Sequence, residues 1–155
     1  MQLWRLSTKR HARDFSGGYG LLHSGRWNTR GRPITYCSTV PSLTALEKRV
    51  HVTDASLLPP LMLVEYEAPN DIPLAAVNFA DLPEGWISRE VDTQQIGDQW
   101  LDSASQTLLT VPSAIVPVSR APERNVLINH RHARSIEIKI VGVTAFTLDP
   151  RLFGP

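Results

Sequence analysis

The chain alternates short apolar runs with segments that contain proline and glycine. Apolar–polar alternation and short apolar runs predict strands at 2–7, 33–38, 61–66, 107–111, 135–141 and 144–148. The 12 prolines are distributed along the chain, which disfavours long helices. The pattern therefore predicts short strands joined by loops.

A first helix is predicted directly after Pro41. Ser42 is a suitable N-cap residue for it. Three apolar side chains then follow at a spacing of about 3.6 residues: Leu43, Leu46 and Val50. We expect this apolar face to be buried.

A second helix is predicted over residues 92–104. Its apolar face comprises Ile96, Trp100 and Leu101, and Gly97 lowers the helix propensity at its centre. Strands outnumber helices and do not alternate regularly with them. The expected fold class is therefore α+β rather than a doubly wound sheet, with one domain over residues 1–155.

Composition excludes several classes of protein. Of the 155 residues, 42% are hydrophobic and 20% are charged, so a disordered chain is not expected. No apolar run approaches the ~20 residues of a membrane span, and charges come too early for a signal peptide, so we expect a cytoplasmic protein. Cys37 is the single cysteine, which excludes an internal disulfide.

The net charge is only +1, so the chain lacks the excess of basic residues that drives nucleic-acid binding. The charges are nevertheless segregated, with basic residues concentrated in 1–32 and 119–139 and acidic residues in 54–102. If the fold brought the two basic segments together, they would form a positive pocket for a phosphorylated small molecule. Solvated arginines are the alternative.

The segment 16–32, SGGYGLLHSGRWNTRGR, has an unusual composition. Its five glycines would let the backbone approach a ligand closely, and its three arginines could neutralise phosphate. It matches neither the dinucleotide fingerprint nor the P-loop. One interpretation is a flexible loop whose Trp27 packs on the core. The polar neighbours Arg26 and Asn28 favour the other, a binding loop.

Candidate catalytic side chains are few. Glu47 lies at the edge of the apolar face of the first predicted helix, where it is either half desolvated or a solvated surface residue. Tyr36 either stacks on a ligand ring or fills the core. Ser113 lacks the Gly-x-Ser-x-Gly context of a hydrolase nucleophile. His130 and His132 have no third ligand beside them, so no metal site is expected.

Taken in order, these segments resemble the RES domain family, which is named after an arginine, a glutamate and a serine. The matching blocks are WRL (4–6), GRWN (25–28), YCS (36–38), LTALE (43–47), His51, QIGDQW (95–100), VPSA (111–114), NVLIN (125–129) and FTLDPR (146–151). The three residues of the family name fall on Arg26, Glu47 and Ser113. His130 departs from the pattern, in which we expect a proline.

The resemblance implies a split sheet like that of the diphtheria-type ADP-ribosyltransferases, with NAD+ in a central cleft. Glu47 is expected to stabilise the oxocarbenium-like transition state that forms as the nicotinamide–ribose bond breaks. Arg26 is expected to hold the diphosphate or adjacent ribose, Tyr36 to pack against nicotinamide, and Ser113 to hydrogen-bond ribose or amide. Further NAD+ contacts are expected from Arg5, Trp27, Asn28 and Asn129.

The function implied is that of the toxin in a type II toxin–antitoxin system, which depletes NAD+ and arrests growth without a metal or further cofactor. Water as nucleophile would make the enzyme a glycohydrolase, and inorganic phosphate a phosphorylase. The alternatives are a protein mono-ADP-ribosyltransferase and a non-catalytic nucleotide-binding module. The resemblance also implies a hetero-oligomer with an Xre-family antitoxin that occludes the cleft, and no direct nucleic-acid or membrane partner.

Overall fold

Seven strands form one mixed sheet in the computed structural model, which describes residues 1–153. The strands are β1 Gln2–Thr8, β2 Ile34–Ser38, β3 Leu61–Glu67, β4 Leu74–Ala76, β5 Leu108–Val111, β6 Asn125–Asn129 and β7 Lys139–Phe146. The α-helices are α1 Gly18–Leu22, α2 Pro41–Arg49 and α3 Glu90–Ser103. The strand order is β4-β5-β6-β2-β1-β3-β7, and β4 and β5 form the parallel pair. This arrangement confirms the predicted α+β class.

Apolar side chains pack on both sides of the sheet, because alternate residues of the central strands point to opposite faces. In β2, Cys37 belongs to one buried cluster with Tyr66 of β3. Ile34 belongs to the other cluster, in which Trp27 and Trp100 pack against the sheet. The cluster around Ile34 joins α3 to the glycine-rich segment, so that helix and that segment share one face of the protein.

The sheet is split between β1 and β2. β1 pairs with β3 along its whole length, whereas it pairs with β2 through Trp4 and Ser38 alone. α2 packs beside this division, where the Thr44 hydroxyl donates to the Trp4 carbonyl oxygen at 3.0 Å. Because the strands diverge beyond their single pair, they leave room for a cleft between them.

Four of the six predicted strands are confirmed to within two residues, namely those at 2–7, 33–38, 61–66 and 107–111. The other two, at 135–141 and 144–148, are wrong in their bounds, because both overlap a single strand. Residues 133–137 form a 3-10 turn, and one strand, β7, spans 139–146 because it pairs with β3 around a bulge. The pattern also failed to predict β4 and β6 as strands.

The two predicted helices exist as α2 and α3, but the details of α2 differ from the prediction. Pro41 occupies the first turn and Val40 the N-cap position, so Ser42 is not the cap. Leu46 and Val50 are exposed, and the buried side chains are Leu43 and Thr44. The predicted apolar face is thus confirmed at Leu43 and wrong at Leu46 and Val50, and Thr44, whose hydroxyl bonds to β1, completes the buried face.

Candidate functional site

A cavity of about 880 Å³ lies where β1 and β2 diverge. Its volume falls within the range of about 300–1,000 Å³ that is usual for small-molecule sites. β1, the glycine-rich segment, β2 and α2 all contribute to its walls. Five of the predicted site residues line it: Arg5, Arg26, Trp27, Tyr36 and Glu47.

Glu47 projects from α2 into this cavity, where two neutral donors hold its carboxylate. The Ser113 hydroxyl donates to Glu47 Oε1 at 2.9 Å, and the Asn125 amide donates to the same oxygen. Ser113 Oγ in turn accepts from the backbone N–H groups of Ile115 and Val116, at 3.0 and 3.2 Å. Ser113 therefore fixes the position of the carboxylate.

Asn125 is a site residue that the sequence analysis missed. It begins β6, opposite Ser38 of β2, and the Ser38 hydroxyl donates to Asn125 Oδ1 at 2.8 Å. This bond leaves the Asn125 amide nitrogen directed at Glu47. Its sequence signal is its place at the start of the NVLIN block, in which the prediction names the other asparagine, Asn129.

Tyr36 forms a wall of the cavity and also holds the glycine-rich segment. Its hydroxyl accepts the Trp27 backbone N–H at 3.0 Å and donates to Asn28 Oδ1 at 2.7 Å. Burial raises the pKa of Tyr36 above its usual value, so the hydroxyl keeps its proton at neutral pH. The ring is therefore available to a ligand while the hydroxyl is engaged with the segment.

The guanidinium groups of two arginines contribute positive charge to the cavity lining. Arg26, on the glycine-rich segment, donates to the Ile87 carbonyl oxygen at 3.0 Å. Arg5, on β1, donates to the Asp14 carbonyl oxygen and to the Ser7 hydroxyl, both at 3.2 Å. Positively charged forks of this kind suit phosphate oxygens.

Asn28 and Asn129 are fully buried and lie outside the cavity lining. The Asn28 amide donates to the His23 and Thr29 carbonyl oxygens, and its oxygen accepts from Tyr36. The Asn129 amide donates to the Leu101 carbonyl oxygen at 3.0 Å. The structure therefore places both asparagines in the fold and does not bring them to the cavity.

Trp27 lines the cavity but is only 2% exposed, and its ring packs near Trp86 with the centroids 6.3 Å apart. The two interpretations of the glycine-rich segment are thus compatible, because Trp27 packs on the core while its neighbour Arg26 borders the cavity. The segment also contains the short helix α1, which the sequence did not predict.

Contrary to expectation, the cavity is not formed between the two basic segments. Basic residues of 119–139 instead pair with the acidic segment, since Arg131 contacts Asp102 and Arg134 contacts Asp71. Asn125 is the one residue of that basic segment in the cavity lining. Two of the basic residues of 119–139 are therefore neutralised by tertiary ion pairs with the acidic segment.

His130 lies beneath the glycine-rich segment. Its Nε2 is 2.8 Å from Thr35 Oγ1, and its ring meets that of Phe15 edge-on, with centroids 4.7 Å apart. Burial, aided by the positive charge of Arg5, lowers the pKa of His130 to about 4. The imidazole is therefore neutral in the folded protein at neutral pH.

The depressed pKa of His130 predicts a loss of stability in acid. Between pH 6.5 and pH 4 the unfolded chain binds a proton at this residue and the folded chain does not, so falling pH favours unfolding. We expect the wild type to lose about 2 kcal/mol of unfolding free energy in this range that H130Q keeps. Urea denaturation at several pH values measures the difference, and identical pH dependences would contradict it.

Metal ligands and membrane-spanning helices were both sought among residues 1–153. No three His, Cys, Asp or Glu side chains in this range are grouped so that they could hold a metal ion. His132, which the sequence analysis considered with His130 as a metal ligand, lies with its Nδ1 2.8 Å from Thr107 Oγ1. None of the helices in this range has the length and apolar character of a membrane span.

Comparison with known proteins identifies relatives over nearly the whole chain. The model of the RES domain matches residues 2–149. "Toxin Res" of Pseudomonas putida is 39% identical over 155 residues, which cover 99% of this chain and all of the relative. The "Prs ADP-ribosylating toxin" of a Sphingobium species is 36% identical over 157 residues, covering 96% of this chain and 94% of that protein.

The fold is also similar to a solved structure, the crystal structure of the Mycobacterium tuberculosis MbcT–MbcA toxin–antitoxin complex. The TM-score is 0.74 at 16% identity, over 94% of this chain and 84% of the matched chain. At that identity the likeness concerns the fold alone. The match over residues 2–149 and the relative that is 39% identical confirm the family resemblance.

Proposed function

This chain belongs to the RES domain family, and from that premise we propose that it is a toxin that depletes NAD+ by breaking the nicotinamide–ribose bond. The proposal extends to growth arrest as the result of that depletion. NAD+ is the substrate, and inorganic phosphate is the candidate co-substrate.

The environment of the Glu47 carboxylate is the observation that carries the proposal. Its carboxylate faces the cavity, is held by Ser113 and Asn125, and takes part in none of the ion pairs among residues 1–153. Neutral donors orient a carboxylate without cancelling its charge. A fixed negative charge in a sheltered cavity is suited to stabilising positive charge that develops on a substrate.

Cleavage of NAD+ develops such a charge. The bond between ribose C1 and the nicotinamide nitrogen breaks, and its electron pair goes to that nitrogen, so nicotinamide leaves as a neutral molecule. Positive charge is left on C1 and the ring oxygen of the ribose, as in glycoside cleavage. We propose that Glu47 stabilises this cation, through its charge or through the ribose hydroxyls, until a nucleophile adds to C1.

The remaining cavity residues suit the other parts of NAD+. The Tyr36 ring offers an apolar face for nicotinamide. The Arg26 and Arg5 guanidinium groups offer hydrogen bonds to the diphosphate or the adjacent ribose. Ser113 is assigned to Glu47 rather than to the substrate, since its hydroxyl proton is directed at the carboxylate.

The test follows nicotinamide release from NAD+ by the purified protein, with and without inorganic phosphate. Release without phosphate indicates a glycohydrolase, and release that requires phosphate indicates a phosphorylase. NAD+ that binds without releasing nicotinamide would refute NAD+ depletion and would leave transfer to a protein acceptor or a nucleotide-binding module.

A second candidate is transfer of ADP-ribose to a protein. It is favoured by the name of the relative from Sphingobium, an ADP-ribosylating toxin that is 36% identical over nearly the whole chain. The same carboxylate would act, with a protein side chain as the nucleophile. NAD+ labelled in its adenylate part and incubated with cell extract distinguishes the two, because only transfer leaves label on a protein.

Replacement of Arg26 by lysine tests the proposal that this arginine binds the diphosphate of NAD+. We expect R26K to lower kcat/KM for NAD+ cleavage about 30-fold, because an ammonium group cannot form the two parallel hydrogen bonds of a guanidinium. R30K is the matched control, since Arg30 is exposed and lies outside the cavity lining. Unchanged kinetics in R26K would remove Arg26 from the substrate site.

We also propose an Xre-family antitoxin partner that occludes the cavity. Tyr19 and Leu22, which line the cavity, are 62% and 68% exposed and would offer apolar surface to such a partner. Co-expression with the product of the adjacent reading frame tests it. Co-purification with loss of nicotinamide release is expected, and full release in the presence of the partner would contradict occlusion.

A further inference from the structure

One face of α3 contacts the backbone of residues 25–29, the part of the glycine-rich segment that carries Arg26. The Thr93 hydroxyl lies 2.7 Å from the Arg26 carbonyl oxygen, nearer than its other acceptor, the Glu90 carbonyl oxygen, at 2.9 Å. The Gln94 amide donates to the Gly25 carbonyl oxygen at 3.0 Å. Hydrogen bonds from α3 therefore fix the two peptide groups that flank the Arg26 Cα.

The contact continues along the same face of the helix. Asp98 accepts from the Thr29 backbone N–H at 2.9 Å and from its hydroxyl at 2.7 Å. At Gly97 the helix touches the segment directly, since an added Cβ would lie 1.8 Å from the Trp27 carbonyl oxygen. Residues 93, 94, 97 and 98 share one face because they are spaced by one helical turn.

Residues 25–29 need such external support. Their internal main-chain bonds join Gly25 to Asn28, 2.9 Å from N–H to oxygen in one direction and 3.4 Å in the other. Gly25 is itself part of this short bridge and Gly31 follows it, and glycine has the largest backbone entropy to lose on ordering. Bonds from α3 offset that cost and hold the peptide from which the Arg26 side chain projects.

We propose that Thr93 and Gln94 are positioning residues for Arg26, which hold its backbone so that the guanidinium lies in place to bind the substrate. Thr93 is fully buried, so its hydroxyl makes no contact with bulk solvent. The consequence for catalysis rests on the proposed function, whereas the consequence for the backbone does not.

The kinetic test compares T93V with T93S. Valine keeps the shape and removes the hydroxyl, so kcat/KM for NAD+ cleavage is expected to fall about tenfold, and T93S to restore most of it. In the R26A background, T93V is expected to cause no further loss, because the group it positions is absent. An equal loss in both backgrounds would show a general structural role and overturn the inference.

The second readout needs no activity. Amide hydrogen exchange is expected to become about tenfold faster at residues 25–29 in T93V and Q94A, with the rest of the sheet unchanged. Q95A is the matched control, since Gln95 is the exposed neighbour of Gln94. Unchanged exchange at 25–29 would overturn the inference, whereas absence of nicotinamide release by the wild type would refute only the proposed function.

Discussion

Replacing Glu47 with glutamine is expected to reduce nicotinamide release from NAD+ about 10³-fold, the scale of losing one preorganised electrostatic contact to a transition state. Glutamine has nearly the size of glutamate, and its oxygen can still accept from Ser113 and Asn125. The substitution therefore removes the negative charge and leaves the hydrogen bonds of the site in place. Release should be measured as kcat with saturating NAD+, since the charge acts on the transition state more than on the bound substrate.

The control for this substitution is E84Q, because Glu84 is exposed and lies outside the cavity lining. E84Q should retain wild-type release and wild-type growth inhibition. Thermal unfolding of E47Q should remain close to that of the wild type, which separates loss of chemistry from loss of fold. A folded E47Q variant that still arrests growth would contradict the role given to this carboxylate.

Gly97→Ala is expected to lower the free energy of unfolding by about 3 kcal/mol, the upper range for overpacking a buried site. In an exposed helix the same change is stabilising by about 1 kcal/mol. The sign of the change in unfolding free energy therefore distinguishes a close contact at this position from an exposed one. The added methyl group would lie 1.8 Å from the Trp27 carbonyl oxygen, which forces α3 and the glycine-rich segment apart. Because that movement displaces Arg26, nicotinamide release should fall as well.

Urea denaturation of G97A and of Q95A, an exposed position on the same helix, measures the effect. Q95A should match the wild type to within about 0.5 kcal/mol. A G97A variant as stable as the wild type would show that α3 can move away from the segment at little cost. The close contact would then not be needed to hold residues 25–29.

The outline of the fold followed from the pattern of apolar residues, and the places where the pattern failed have physical causes. β6 was missed as a strand because it shows no apolar–polar alternation and its apolar run, 126–128, is shorter than the 4–8 residues of a typical buried strand. Gly97 was read as weakening the helix, since propensity does not reveal that another backbone approaches there. The close approach at Gly97 is a tertiary contact, which sequence periodicity does not encode.

The candidate site was predictable to a similar degree. The arginine and glutamate were placed by family resemblance, and the cleft between β1 and β2 brings both into one cavity. The choice between Asn125 and Asn129 was not predictable, because both lie in β6 four residues apart and only their neighbours distinguish them. Asn129 bonds a helix carbonyl in the core, whereas Asn125 bonds Glu47.

The two hydrogen bonds of the Tyr36 hydroxyl have a consequence for selectivity. A group that pushes against the ring must strain the bonds to Trp27 and Asn28, and with them the loop that α3 already fixes. The aromatic wall is therefore held in place, and we expect bases bulkier than the nicotinamide of the proposed substrate to meet a steric barrier at Tyr36.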